Sequence, residues 1–182
     1  MSPASRSGRD REPTAAEARA EVEARRETDR AERTAAMQAR FGDRVPGRAI
    51  IVVSWVCTAV FTLAAIPALV DPRDAVAAFF AVSVVLFVAG CALFMVVLLL
   101  AAARSRDDAM GIGGLFFLAG SAPVPVQRHL LGSMGVQVVV AIGAAALDPF
   151  TPLAFGTLVP TIGLALCGLW AVRYGLFPAR ST

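Results

Sequence analysis

Few residues in this chain are of types that carry chemistry, and their spacing limits what they can do. His129 is the only histidine and follows Arg128. With no cysteine or carboxylate nearby it makes a poor metal ligand, because a zinc site draws three or four such donors together. The pair suits contact with a phosphate headgroup instead. Cys57, Cys91 and Cys167 are widely separated and form no Cys-x-x-Cys pair, so they read as small apolar packers with no disulfide expected. This also sets the chain apart from four-span thiol-oxidising membrane enzymes, whose chemistry needs paired cysteines. No serine elbow, phosphate-binding loop or carboxylate pair occurs. No catalytic, cofactor-binding or metal-binding residue is therefore assigned, and an enzyme is not expected.

The remaining polar residues are weakly polar and regularly spaced. Ser54, Thr58 and Thr62 recur every four residues, as do Ser133, Gln137 and Ala141. On a helix each set forms one small-residue face that allows close approach of a neighbour. Gln137 is expected to hydrogen-bond across to another helix, at roughly 0.6 kcal/mol on average; a pathway-lining role is the alternative. Pro160, flanked by Gly156 and Gly163, predicts a kink, because proline removes one backbone hydrogen bond.

The elements that must position these residues are set by where charge is missing. Residues 49–70, 75–103, 130–147 and 152–172 contain no Asp, Glu, Lys, Arg or His. As helices they would run roughly 33, 43, 27 and 31 Å, against a hydrocarbon layer of about 30 Å. Each can cross a bilayer. A hydrophobic content of 57% and a mean hydropathy of +0.65 agree with an all-α integral membrane fold. The absence of intramembrane charge argues against ion-coupled transport and against small four-span drug exporters, which depend on an intramembrane glutamate.

Charge is confined to the tail and the loops. Residues 1–48 hold 11 arginines and 9 acids, and the remaining 134 residues hold 6 and 5. The net charge of +3 is thus no sign of nucleic-acid binding. All 17 basic residues are arginine, a bias that suggests a high-GC bacterial genome. With the tail inside, 16 arginines lie on the cytoplasmic side and only Arg73 lies outside. Both termini are expected in the cytoplasm of a bacterium, with the multi-pass domain, residues 49–182, in its plasma membrane. Arg40, Arg44, Arg48, Arg104, Arg106, Arg128 and His129 become candidate headgroup contacts.

The two outer turns share a pattern. Asp71-Pro72-Arg73-Asp74 and Asp148-Pro149-Phe150-Thr151-Pro152 each end one helix at Asp-Pro and offer a capping residue, Asp74 or Thr151, to the next. The expected architecture is therefore two antiparallel hairpins. Common turn chemistry explains the similarity better than duplication does. Between the hairpins, the uncharged residues 109–122 carry four glycines and are too short to cross. They are expected to lie in the interface or to dip in and return, with Phe116 and Phe117 facing lipid or the bundle.

In the tail, Thr14-Ala15-Ala16-Glu17 has capping-box spacing and Gly42 can close the helix, which predicts a charged helix over 15–41. Acid-first pairs such as Glu21 with Arg25 and Asp29 with Arg33 support it. No heptad pattern is sustained. The helix is either a docking element or a solvated segment.

The run Pro149-Phe150-Thr151-Pro152-Leu153-Ala154-Phe155-Gly156, with Leu158-Val159-Pro160 and Gly168-Leu169-Trp170, resembles the carboxy-terminal half of four-span membrane proteins of actinobacteria. The resemblance covers the last third of the chain and implies a plasma-membrane location, with no activity attached. Two functions follow as expectations. The first is a non-enzymatic accessory or assembly protein whose bundle anchors a cytoplasmic interaction helix. The alternative is a small oligomeric channel or transporter using Gln137, Pro160 and the segment near Gly113. The partners the sequence admits are membrane lipids, a protein on the amino-terminal helix, and a second copy of the chain; no cofactor is expected.

Overall fold

The computed structural model describes residues 14–42, 45–70, 72–147 and 150–178. Among them the secondary structure is helical: α1 (Ala15–Phe41), α2 (Arg48–Val70), α3 (Pro72–Arg104), the short α4 (Ile112–Phe116), α5 (Val124–Leu147), a 3-10 segment (Pro152–Leu158) and α6 (Pro160–Tyr174). Four elements are long and apolar enough to cross a membrane: α2, α3, α5, and the 3-10 segment with α6. Their outer faces bear large exposed apolar side chains, such as Val56 and Leu63 on α2, Leu99 on α3 and Val139 on α5. Where lipid is the solvent such faces cost nothing. The chain is an all-α, multi-pass membrane protein.

The four spans form a ring in the order α2, α3, α6, α5, with α3 against α6 the broadest contact. Each hairpin is antiparallel, and the helices that meet between hairpins run in the same direction. A two-fold axis along the bundle would put like-directed helices diagonally opposite, so this ring is not the product of such an axis. Glycines bring the backbones together. A Cβ at Gly90 on α3 would stand 2.8 Å from the backbone nitrogen of Ile162, and one at Gly168 on α6 would stand 2.7 Å from Val97. Two apolar clusters fill the ring. One centres on Phe61, Phe79, Leu153 and Ile162, and the other, at the arginine-bearing end, on Val97, Leu130, Phe116 and Trp170.

Three boundaries differ from the sequence expectation. The third span starts at Val124, not residue 130, so Arg128 and His129 sit within its first turns. Pro125 is tolerated there because a first-turn N–H has no intrahelical partner to lose. Helix α3 begins at Pro72, so Asp74 lies inside its first turn and is not the residue before it. Its side chain, together with Asp71, Asp148, Pro149 and Arg180, lies outside what the structure describes. The fourth span is not one kinked helix. A 3-10 stretch gives way to α6 at Pro160, which occupies the first turn of the new helix, where its missing N–H costs least. Thr151 stands at the N-cap of the 3-10 segment without a side-chain capping bond.

Candidate functional site

The end of the bundle that carries the arginines is closed by residues 109–122. After α4 the chain reverses through two left-handed residues, Leu118 at φ 58° and Gly120 at φ 70°. A leucine in that conformation is strained by about 1–2 kcal/mol, and burial of its entire side chain offsets this. The Ser121 hydroxyl donates to Gly114 O at 2.6 Å, and the Gln127 amide donates to Leu118 O and Ala122 O, both at 2.9 Å. These bonds tie the segment to itself and to the start of α5. It is a lid, with Leu115, Phe116, Leu118 and Ala122 packed on the bundle end. Phe116 stacks on Phe94, with ring centroids 5.0 Å apart. Phe117 points away from the core and is 52% exposed.

The carboxy-terminal residues strap this lid down. Ala109 N–H donates to Pro178 O at 2.8 Å, and Leu176 N–H to Ser121 O at 3.0 Å. Arg104, at the end of α3, donates through Nη1 to Val172 O at 2.6 Å, through Nη2 to Gly175 O at 2.9 Å, and through Nε to Asp108 at 2.6 Å. Its guanidinium also covers the Phe177 ring at 5.4 Å. This candidate headgroup contact is therefore turned inward, onto the carbonyls that end α6. Arg48, Arg106, Arg128 and His129 are exposed at the same end of the bundle. Arg40 is exposed beside Phe41, whose ring lies 5.7 Å from it. Arg44 lies outside the described residues.

Within the membrane the two small-residue faces meet. Gln137 Nε2 on α5 donates to Thr58 Oγ1 on α2 at 2.8 Å. Thr58 in turn donates to Ser54 O at 2.9 Å, and the Ser54 and Ser133 hydroxyls bond each other. All four residues are buried. Gln137 Oε1, Thr62 Oγ1 and Ser83 Oγ are buried without a partner among the described residues. Gln137 Oε1 faces Gly163, where a Cβ would come within 2.9 Å. The cluster works as an interhelical clasp.

Helix α1 begins in a complete capping box. The Thr14 N–H and hydroxyl donate to the Glu17 carboxylate at 2.7 and 2.8 Å, and Glu17 N–H returns to Thr14 at 3.4 Å. These bonds, the backbone one first, hold the Glu17 carboxyl below the usual carboxylate range. The far end meets the lid. Arg33 lies over the Gly120 turn, its Nη1 3.2 Å from where a Cβ would stand, and it makes no hydrogen bond or ion pair among the described residues. A cleft opens on each side of this contact. The larger, about 780 Å³, runs between Met37, Val45 and Pro123–Pro125; the smaller, about 490 Å³, is bordered by Glu32, Ala109 and Phe177.

Sequence reasoning missed the joint between α2 and α6. Trp170 Nε1 donates to Pro46 O at 2.8 Å. Gly47, at φ 72°, has no room for a side chain, since a Cβ there would stand 2.6 Å from the same indole nitrogen. The Pro-Gly dipeptide was the signal for this joint, since it marks a turn. Arg33 had none, being one of many similar arginines in the tail. Fold and site together define a helical multi-pass membrane protein with a charged helix seated on its lidded end. No family model, curated protein or solved structure matches the chain.

Proposed function

We propose that this chain is a non-enzymatic accessory or assembly protein of a bacterial plasma membrane, in which the four-span bundle holds α1 in the cytoplasm for contact with a protein partner. One observation carries the reading. Helix α1 has its own capping box and is exposed along nearly all of its 27 residues, yet no α1 residue belongs to either core cluster. An element that contributes nothing to the core and is still folded is free to bind. The arginine distribution supports the cytoplasmic placement of both termini. The enclosed polar residues, bonded across α2 and α5, support a static bundle over a channel or transporter.

The test is site-specific photocrosslinking in cells from positions 21 and 25 of α1, compared with positions 63 and 99 on the lipid-facing surface. A discrete adduct from α1 alone, lost in a chain lacking residues 1–38 that still inserts, is the expected result. Adducts that do not differ between the two sets would refute the partner role.

A further inference from the structure

The larger cleft under α1 has the composition of a site for an amphiphilic anion. Among the described residues its one charged lining residue is Arg33, and the rest of the described lining is chiefly apolar, including Met37, Val45 and Val124. No carboxylate borders it among the described residues; Asp43, between Gly42 and Val45 in the chain, lies outside them. At about 780 Å³ it falls within the range of small-molecule sites, about 300–1,000 Å³. One wall, Val124 and Pro125, is the amino-terminal turn of α5; Pro125 brings no N–H and Gln127 N–H is bonded to Pro123 O, so this end contributes the favourable sign of the helix dipole more than free donors. Exposed Arg48 and Arg128 stand on helices that enter the membrane from this end. The cleft therefore opens at the depth where phospholipid headgroups lie.

We propose that this cleft binds one anionic phospholipid, with its phosphate at Arg33 and the amino end of α5 and its first acyl carbons against Met37, Val45 and Val124. A guanidinium with no hydrogen-bond or ion-pair partner among the described residues gains a phosphate, to which it can donate two parallel hydrogen bonds. Free phosphate would leave the apolar lining unfilled. A zwitterionic lipid would bring its own cation next to Arg33. The bound lipid also bridges α1 to the lid, two parts that otherwise touch mainly where Arg33 crosses Gly120.

The proposal rests on the membrane placement above and not on the protein partner, so lipid retention without any crosslinked partner would refute the partner alone. The full chain in detergent is titrated with phosphatidylglycerol or phosphatidylcholine and read by native mass spectrometry, with thermal melting as a check of folding. One phosphatidylglycerol should be retained in preference to phosphatidylcholine. Arg33→Gln should weaken that retention about five-fold, the effect of losing one arginine at an anionic surface. Ala119→Trp, at an exposed position bordering the cleft, should block it without unfolding the bundle. Arg19→Gln, elsewhere on α1, should change nothing. Equal retention of both lipids, indifference to Arg33→Gln and Ala119→Trp, or displacement of the lipid by millimolar inorganic phosphate would overturn the assignment.

Discussion

Glu17 and Thr14 hold each other at the first turn of α1, and the consequence is a pH dependence with a definite sign. The folded carboxyl titrates below its unfolded value. The capping bonds therefore add stability above the unfolded pKa, and that stability is lost as pH falls through the folded one. Acid should fray the start of α1 first. An NMR titration should show Glu17 moving upward in Thr14→Ala, which keeps the Thr14 N–H bond, and an unchanged midpoint would exclude the Thr14 hydroxyl as a cause. Deep in the bundle, Gln137 and Gly163 make opposite demands. Gln137→Leu loses a cross-helix bond worth roughly 0.6 kcal/mol but also removes a buried oxygen that has no partner among the described residues. The net change should stay under about 1 kcal/mol. Gly163→Val would press a side chain within 2.9 Å of Gln137 Oε1 and 3.0 Å of Met134. Overpacking of that kind costs about 1–3 kcal/mol. Reversible unfolding in mixed micelles ranks the two, and a Gln137→Leu loss as large as that of Gly163→Val would mean the glutamine is more than a clasp.

At the scale of elements, the ends of helices decide how this bundle closes. Arg104 gathers Asp108, Val172 and Gly175, so one side chain ties the end of α3 to the end of α6 and to the strap over the lid. Arg106, two residues on, is exposed and bonds nothing among the described residues. Arg104→Met should therefore lower thermal stability by about 1.5–3 kcal/mol, the range for hydrogen bonds to charged groups. It should also speed amide exchange at Ala109 and Leu176, whereas Arg106→Met should do neither. Equal effects would return Arg104 to the role of a simple surface charge. The contrast shows what the sequence could and could not convey. The spans were legible because lipid excludes charge, and the faces of Ser54 with Thr58 and Ser133 with Gln137 were legible because helical spacing exposes them. Arg104 was not, because its carbonyl partners lie 68 and 71 residues away. Nor was the lid, whose turn uses a leucine, Leu118, in a conformation that local preference disfavours.

For the whole molecule, the separation between bundle and α1 predicts separable behaviour. Both core clusters are built from residues of the membrane domain and its lid, whereas α1 meets the lid at Arg33, over Gly120, and borders the cleft beside it with Met37. Removing residues 1–38 should leave the melting temperature of the bundle within a few degrees of the full chain, while abolishing the α1 crosslinks and the Arg33-dependent lipid. The same architecture fixes which points must share a compartment. Pro46 touches Trp170, and Ala109 touches Pro178, so the start of the first span, the lid and the last described residues all lie at one end. Phe150, between α5 and the 3-10 segment, belongs to the other. Cysteine accessibility gives the measurement: Cys57, Cys91 and Cys167 are first replaced by alanine, and single cysteines are then placed at Arg106, Arg173 and Phe150. An impermeant maleimide applied to intact cells should label only the Phe150 position, and permeabilisation should add the other two. Labelling of Arg106 and Arg173 on opposite sides would break the ring of four spans, because α3 and α6 could no longer run side by side in the same direction.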